Sequence, residues 1–188
     1  MTLKTNAFAT LALAPATLAN LEQLGYLEMT PIQAASLPVA LAGTDLIAQA
    51  KTGSGKTAAF ALALLAKLNP RWFSVQAMVM CPTRELADQV TVEIRRLARA
   101  QDNIKVVTLC GGIALRGQRA SLENGAHIVV GTPGRVMDLL ERGYLTLDIR
   151  KDRIDTEYVF VPAAGGRSAK ETGRKKLSVA HGARRLEV

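Results

Sequence analysis

One segment of the chain reads Asp45-Leu-Ile-Ala-Gln-Ala-Lys-Thr-Gly-Ser-Gly-Lys-Thr57, an apolar run followed by a glycine-rich loop. The usual phosphate-binding pattern is G-x-x-x-x-G-K-[ST]; here Ala50 takes the first position, and Gly55-Lys56-Thr57 closes the pattern. Gly53 and Gly55 let successive N–H groups turn towards phosphate oxygens, and the helix that follows adds its positive N-terminal dipole. The segment therefore predicts a nucleoside triphosphate site.

Within this loop, Lys56 is expected to reach the β- and γ-phosphates, and Thr57 is expected to ligate Mg²⁺. The alternative is a plain Gly/Ser turn between a strand and a helix. The apolar strand before the loop and the helical run 58–68 after it favour the phosphate-binding interpretation. The residues predicted to bind the nucleotide here are Ala50, Lys51, Thr52, Gly53, Ser54, Gly55, Lys56 and Thr57, with Thr57 as the metal ligand.

A second pattern lies upstream, where Gly25-Tyr26 precedes Thr30-Pro31-Ile32-Gln33, and Phe8 stands seventeen residues before Gly25. A glutamine amide offers a donor beside an acceptor, which matches adenine and mismatches guanine. Thr30-Pro31 can also be read simply as the start of a helix. The pattern resembles the adenine-recognition element of the DEAD-box RNA helicases, which implies that ATP is bound by Phe8, Tyr26, Thr30 and Gln33.

The resemblance to this family continues in register through three further motifs, Cys81-Pro-Thr-Arg-Glu-Leu-Ala87, Gly111-Gly112 and Thr132-Pro-Gly-Arg135. In the family these motifs contact the RNA backbone without reading its sequence, and ribosomal RNA is the target that the resemblance implies. Each motif has a purely structural alternative, because Thr83 and Thr132 suit helix N-caps and the glycine pair suits a turn. The implied RNA contacts are Pro82, Thr83, Arg84, Gly111, Gly112, Thr132, Pro133, Gly134 and Arg135.

Strands and helices alternate along the chain, which predicts an α/β fold with a parallel sheet covered by helices on both faces. Ligands of such sheets bind at the carboxyl ends of the strands, where all of these motifs lie, so one shared ATP and RNA site is expected. The resemblance implies a RecA-like P-loop domain. The predicted strands are 46–50, 75–81, 105–110 and 127–131, and the predicted helices are 58–68, 84–100, 115–122 and 134–141.

The resemblance stops at about Asp148. In the family the next strand ends in Asp-Glu-Ala-Asp, whose carboxylates hold Mg²⁺ and position water, but this chain has Thr156-Glu157-Tyr158-Val159 at that spacing. The family's second RecA-like domain is also missing from the pattern. We therefore expect residues 1–148 to be an incomplete first helicase domain that binds ATP but is deficient in hydrolysis.

The remaining residues are basic and weakly patterned. Residues 149–188 contain ten Lys/Arg and five acidic residues, which accounts for five of the chain's eight net positive charges. Residues 149–164 could include a strand, and residues 165–188 are predicted to be a disordered basic tail. The tail could be an accidental translated sequence or a selected RNA clamp on a non-catalytic ATP/RNA-binding module.

Composition limits the other function classes. At 188 residues and 48% hydrophobic content, one domain is expected. The N-terminal sequence does not resemble a secretory signal and no apolar run approaches a membrane span, which predicts a cytoplasmic protein. Cys81 and Cys110 lack metal-ligand spacing and are expected to be buried thiols, and His127 is expected to serve packing or edge polarity. An unrelated P-loop kinase or GTPase is disfavoured by the adenine element and the lack of Asn-Lys-x-Asp.

Overall fold

The computed structural model describes residues 6–146 and the backbone of residues 184–187. The described residues divide into two compact units, one that contains residues 6–70, 92–104 and 184–187, the other residues 71–91 and 105–146. A 3₁₀ turn, Phe8–Thr10, precedes the regular elements. The helices are α1 (Pro15–Gln23), α2 (Pro31–Leu41), α3 (Lys56–Lys67), α4 (Arg84–Ala98), α5 (Leu115–Glu123) and α6 (Pro133–Glu141); the strands are β1 (Leu46–Gln49), β2 (Ala77–Met80), β3 (Val106–Leu109), β4 (Ile128–Gly131) and β5 (Arg184–Glu187).

The first unit is built around the packing of α2 against α3. Helix α3 is rich in alanine, and Ala58, Ala61 and Leu62 are each at most 2% exposed, which lets the neighbouring helix approach closely. Strand β1 precedes α3 and pairs in parallel with β5, with Leu46 opposite Arg184 and Gln49 opposite Glu187. These four residues of β5 fall within the segment expected to be disordered. An open strand edge presents unpaired N–H and C=O groups, which explains how so short a run can pair there.

The second unit contains a three-stranded parallel sheet with the order β2-β4-β3. Its central strand β4 is buried along its whole length, which fits the continuous apolar run Ile128-Val-Val130. Side chains alternate along β3: Val107 and Leu109 join the hydrophobic cluster that includes Leu139 of α6. The Thr108 hydroxyl instead contacts that of Thr91 of α4 at 2.9 Å. Because successive strand residues face opposite sides, helices cover both faces of this sheet.

His127 connects the three strands of this sheet at their N-terminal ends. It is fully buried, and its Nδ1 accepts a hydrogen bond from the Lys105 N–H at 3.0 Å. Its carbonyl accepts from the N–H groups of Gln76 and Ala77, while its ring packs against Phe73 with centroids 5.0 Å apart. The packing role predicted for His127 is therefore correct, with a specific acceptor function added.

The predicted α/β class, parallel pairing and flanking helices are confirmed, and the predicted strands and helices lie within a few residues of those observed. The single sheet expected from the sequence is instead two separate sheets, so the sheet is not closed. Helix α1 was not predicted; it has Pro15 in its first turn and only two buried residues, Thr17 and Leu21, so its apolar pattern is weak. The possible strand within residues 149–164 lies outside the described residues.

No helix within the described ranges has the length and apolar character required to span a membrane.

We expect His127→Leu to lower the free energy of unfolding by about 1–3 kcal/mol, because the Lys105 N–H would lose its acceptor inside the unit. His127→Asn, which retains an acceptor near the Nδ1 position, should recover part of that loss. Urea denaturation followed by far-ultraviolet circular dichroism measures both variants. Equal stability of wild type and His127→Leu would contradict a role for the Nδ1 acceptor.

Candidate nucleotide and RNA sites

The glycine-rich loop after β1 has the backbone geometry that phosphate binding requires. Gly53 and Gly55 have φ angles of +81° and +91°, in the left-handed region that favours glycine. Gly55 is the N-cap of α3, so the helix begins at Lys56. The loop therefore ends at the N-terminus of a twelve-residue helix, whose dipole favours an anion.

The Lys56 side chain folds back over this loop. Its Nζ donates to the carbonyl of Lys51 at 2.7 Å and also to the carbonyl of Ala50. The ammonium is thus held beside the loop backbone, where it can exchange a carbonyl for a phosphate oxygen. Ala50 supplies this carbonyl from its main chain, so replacement of the usual glycine leaves the contact intact.

The residues of the loop fit a phosphate-bearing ligand. The Ser54 hydroxyl is buried and has no hydrogen-bond partner in the described part of the chain. A buried hydroxyl normally has a partner, and a phosphate oxygen would provide one. Lys51, Thr52 and Gly53 are exposed, whereas Thr57 is half-buried at the start of α3.

Gln33 joins the adenine-recognition element to the loop. Its side chain is 1% exposed; its Nε2 donates to the Gly55 carbonyl at 3.1 Å, and its Oε1 accepts from the Thr30 N–H at 2.9 Å. The Thr30 hydroxyl in turn accepts from the Gln33 N–H, which completes a capping box at α2. The structural alternative for Thr30-Pro31 is therefore correct for the local fold.

These bonds leave part of the Gln33 amide available. An amide has two N–H donors and two acceptor lone pairs, and the hydrogen bonds that Gln33 forms within the described part of the chain use one of each. One donor and one acceptor remain, which is the pair that the edge of adenine requires. The capping and adenine-binding interpretations of Gln33 are thus chemically compatible.

Phe8 and Tyr26 lie at different depths. Phe8 is 4% exposed and meets the half-buried Tyr26 ring edge-on, with centroids 6.2 Å apart and an interplanar angle of 89°. The Tyr26 hydroxyl donates to a carboxylate oxygen of Glu93. Burial, followed by the Glu93 carboxylate, raises the pKa of Tyr26 to about 12. Any contact of Phe8 with a base would therefore be less direct than that of Tyr26.

In the second unit, the fold brings together two of the motifs implied to contact RNA. The Arg84 guanidinium lies over the Gly111-Gly112 backbone; a Cβ placed on Gly111 would be 3.4 Å from Arg84 Nη2, and one on Gly112 would collide with Nη1. Gly112 also has a φ of +79°. The glycine pair is needed both for the turn and for the close approach of an exposed arginine, which presents a positive charge beside backbone N–H groups.

The Arg135 guanidinium forms hydrogen bonds and an ion pair with other groups of this chain. Its Nη1 donates to the Ile113 carbonyl at 3.1 Å and to Gln118 Oε1 at 2.9 Å, and its Nη2 donates to the same Ile113 carbonyl at 3.2 Å. Its Nε lies 3.7 Å from an Asp138 carboxylate oxygen, and the side chain is 12% exposed. Arg135 thus ties the loop after the glycine pair to α6, and its direct phosphate contact stays a prediction.

The two threonines differ in how they serve their helices. The Thr83 hydroxyl accepts from the Leu86 N–H at 3.2 Å, as an N-cap does. The backbone N–H of Glu85 and the Thr83 hydroxyl lower the pKa of the Glu85 carboxyl. Thr132 precedes α6 but makes no side-chain capping bond. The structural alternative therefore accounts for Thr83 but not for the Thr132 hydroxyl. Pro82, Pro133 and Gly134 are exposed beside them.

The described residues contain no group of three or more His, Cys, Asp or Glu that could hold a metal ion. Thr57 is the predicted Mg²⁺ ligand from the loop, and its role stays a prediction. Cys81 and Cys110 are free and buried, as expected, and burial followed by the proximity of Cys110 raises the pKa of the Cys81 thiol.

Comparison with known proteins shows the family to which the chain belongs. A family model described as DEAD/DEAH box helicase matches residues 30–154, and the chain therefore belongs to this family. The chain is 59% identical over 143 residues to ATP-dependent RNA helicase DbpA of Escherichia coli (strain K12), covering 76% of this chain and 31% of that protein. It is 41% identical over 141 residues to DEAD-box ATP-dependent RNA helicase CshA of Geobacillus kaustophilus, covering 75% of this chain and 30% of the relative.

Solved structures of DEAD-box proteins also resemble this chain. The crystal structure of a DEAD box protein from Methanococcus jannaschii matches with a TM-score of 0.72 and 40% identity, over 76% of this chain and 39% of that chain. Saccharomyces cerevisiae Dbp5 bound to RNA and ADP BeF3 matches with a TM-score of 0.67 and 32% identity, over 76% of this chain and 36% of that one. The chain corresponds to the N-terminal RecA-like part of a DEAD-box RNA helicase and spans less than half the length of these relatives.

Sequence reasoning missed Glu93, which accepts a hydrogen bond from Tyr26, and Asn20, which links α1 to α4. Asn20 Nδ2 donates to the carbonyls of Arg96 and Leu97 at 3.2 and 3.1 Å. Glu93 and Arg96, three residues apart on a helix, form an ion pair in the structure. Such local spacing gives no sign of a contact with Tyr26.

We expect Gly55→Ala to be more destabilising than Gly53→Ala. Both changes place alanine at a positive φ, at a cost of about 1–2 kcal/mol. Only the Cβ at Gly55 meets another group, Gln33 Nε2 at 2.5 Å, whereas the Cβ at Gly53 meets nothing within 4 Å. Chemical denaturation should show an additional loss of about 1–3 kcal/mol for Gly55→Ala. Equal losses would mean that Gln33 does not need its contact with the Gly55 carbonyl.

Proposed function

We propose that this chain is the ATP-binding and RNA-binding N-terminal portion of a DEAD-box RNA helicase, and that it binds ATP in its first unit. The observation that carries the proposal is the bond from Gln33 Nε2 to the Gly55 carbonyl. It places the amide expected to read the base beside the N-terminus of α3, where phosphates are expected. A base-reading group and a phosphate-binding loop so joined fit an adenine nucleotide better than a phosphate alone.

DEAD-box helicases use ATP with a divalent metal, and Mg²⁺ held through Thr57 is our proposal for this chain. The metal would neutralise charge on the phosphates, while Lys56 supplies a further positive charge. Because Thr156-Glu157-Tyr158-Val159 stands at the spacing of the Asp-Glu-Ala-Asp motif, we propose that this chain binds ATP without appreciable RNA-stimulated hydrolysis.

DEAD-box helicases also bind RNA, and we propose that the second unit of this chain binds it through backbone contacts. Arg84 over the glycine pair and the exposed residues Pro133 and Gly134 support this assignment. Contacts with phosphates fix the position of a strand but do not read its sequence. Ribosomal RNA as the target and the cytoplasm as the location are proposals from the similarity to DbpA.

A second candidate function is a non-catalytic ATP/RNA-binding module in which the basic residues after 148 act as an RNA clamp. The observation that favours it is the parallel pairing of Arg184–Glu187 with β1, which makes these residues part of the first unit's sheet. Under this proposal, residues 149–188 contribute positive charge to RNA binding.

We predict that the wild-type chain binds fluorescent ATP analogues more tightly than the corresponding GTP analogues. Gln33→Ala should remove most of this discrimination, which a bidentate base contact sets at about 1–3 kcal/mol. Lys56→Ala should weaken both nucleotides because it removes a phosphate contact. Lys67→Ala, which removes a lysine from the other end of α3, is the matched control. Equal wild-type affinity for the two bases would contradict the role of Gln33, and full binding by Lys56→Ala would contradict the role of the loop.

We predict weak, sequence-insensitive RNA binding that falls with salt, at a log–log slope of about −0.7 per neutralised phosphate. Arg84→Ala should make this slope shallower by one contact. Gly112→Ala should weaken binding similarly, because its Cβ displaces the Arg84 guanidinium. Fluorescence anisotropy with two oligonucleotides of unrelated sequence measures these effects.

The matched control for Gly112→Ala is Gly117→Ala in α5, since a Cβ there meets nothing within 4 Å. A strong preference for one oligonucleotide, or an equal loss in Gly117→Ala, would contradict the proposed contact.

A further inference from the structure

Glu93 lies within α4, outside all of the motifs expected to bind ATP or RNA. Its carboxylate has two partners on different elements. One oxygen accepts a hydrogen bond from the Tyr26 hydroxyl, and the other pairs with Arg96 Nη1 at 3.1 Å. The Glu93 side chain is 17% exposed, against 43% for Arg96. A half-buried phenol and a largely covered carboxylate thus satisfy each other, and the arginine on the solvent side balances the charge.

A second polar link joins α1, which precedes Tyr26 in the chain, to α4. Asn20, near the end of α1, donates through Nδ2 to the carbonyls of Arg96 and Leu97 in the last turn of α4. The last carbonyls of a helix lack intrahelical partners, and the Arg96 carbonyl also accepts a bond from the Arg99 N–H at 3.4 Å, so the Asn20 amide adds to the capping of the α4 C-terminus. Leu21, Ile94 and Leu97, each next in sequence to one of these polar residues, are at most 1% exposed.

The segment held in this way leads directly into the base-reading residues. Tyr26 lies between α1 and α2, its N–H donates to the Leu21 carbonyl, and the Met29 N–H donates to the Asn6 carbonyl. Thr30 and Gln33 follow at the capping box of α2. The position of the Tyr26 ring and the orientation of the Gln33 amide therefore depend on where this segment is anchored.

We propose that Glu93 is a positioning residue for the nucleotide site, because it anchors the Tyr26 ring and the segment before Gln33 to α4. The inference rests on the proposed binding of ATP. Glu93 does not touch the ligand; it acts by holding the Tyr26 hydroxyl. An exposed ion pair contributes little by itself, so the pair with Arg96 alone would not give this effect. If the Tyr26 hydroxyl lost its acceptor, it would have to form a hydrogen bond with water, or the ring would rotate away from α4.

Three variants separate the contribution of the Glu93 carboxylate from that of the Tyr26 hydroxyl. Glu93→Ala removes the acceptor, Glu93→Gln retains an acceptor without charge, and Tyr26→Phe removes only the hydroxyl. We expect Glu93→Ala and Tyr26→Phe to weaken ATP binding by about tenfold, the consequence of losing one partner of a part-buried hydrogen bond. Glu93→Gln should remain within about threefold of wild type. The double variant Glu93→Ala/Tyr26→Phe should be no weaker than the single variants, because both remove the same bond.

Inorganic tripolyphosphate distinguishes positioning from a general loss of structure. It carries the phosphates without the base, so its affinity should be unchanged in Glu93→Ala if Glu93 acts through the base-reading segment. The control for charge removal is Glu123→Ala, since Glu123 forms a comparable but exposed pair with Arg119 at 2.6 Å in the other unit. That variant should bind ATP as the wild type does.

The possible results distinguish failure of the inference about Glu93 from failure of the proposed ATP binding. Wild-type affinity for ATP in Glu93→Ala and Tyr26→Phe would overturn the inference while leaving ATP binding intact. A parallel fall for ATP and tripolyphosphate in Tyr26→Phe, the mildest variant, would also overturn it, because the effect would then not pass through the base. Failure of the wild-type chain to bind ATP at all would remove the proposed function and this inference with it.

Discussion

The proposed nucleotide site depends on one hydrogen bond, from the Gln33 amide to the carbonyl of Gly55. Gly55 has to be glycine because its φ is +91° and because a Cβ there would lie 2.5 Å from Gln33 Nε2. The same residue is the N-cap of α3 and so fixes where the helix dipole begins. The backbone conformation, the start of α3 and the position of the amide proposed to read the base are therefore set at a single residue.

The second unit uses glycine in a similar way, but for an arginine. Arg84 at the start of α4 lies over Gly111-Gly112, and Arg135 at the start of α6 holds the Ile113 carbonyl that follows them. Both arginines belong to motifs implied to contact RNA, but their surroundings differ. Arg84 is exposed, whereas Arg135 is mostly buried and forms an ion pair with Asp138. Electrostatic attraction of RNA is expected to depend more on Arg84 and the shape of the glycine turn to depend more on Arg135.

Several residues serve the fold and the proposed function together. Thr83 caps α4 while belonging to an RNA motif, and Gln33 completes a capping box while retaining a donor and an acceptor. Such groups have more hydrogen-bonding capacity than one helix end requires. The structural and functional interpretations that the sequence left open are therefore not exclusive at these positions. The Thr132 hydroxyl makes no side-chain capping bond, and its contact with RNA stays a prediction.

Sequence alone determined the α/β class, the parallel strands and the family, because these depend on local patterns: apolar runs of strand length, glycines at fixed offsets and motifs in a fixed order. It placed Lys56, Gln33 and Arg84 in the right local structures for the same reason. Tertiary structure decided that the sheet is divided, that Phe8 is buried beneath Tyr26, and that Arg135 is used within the protein. It also brought Glu93 to Tyr26, 67 residues apart in sequence. Local periodicity carries no information about such a pair, since the contact exists only after α1 and α4 have packed together.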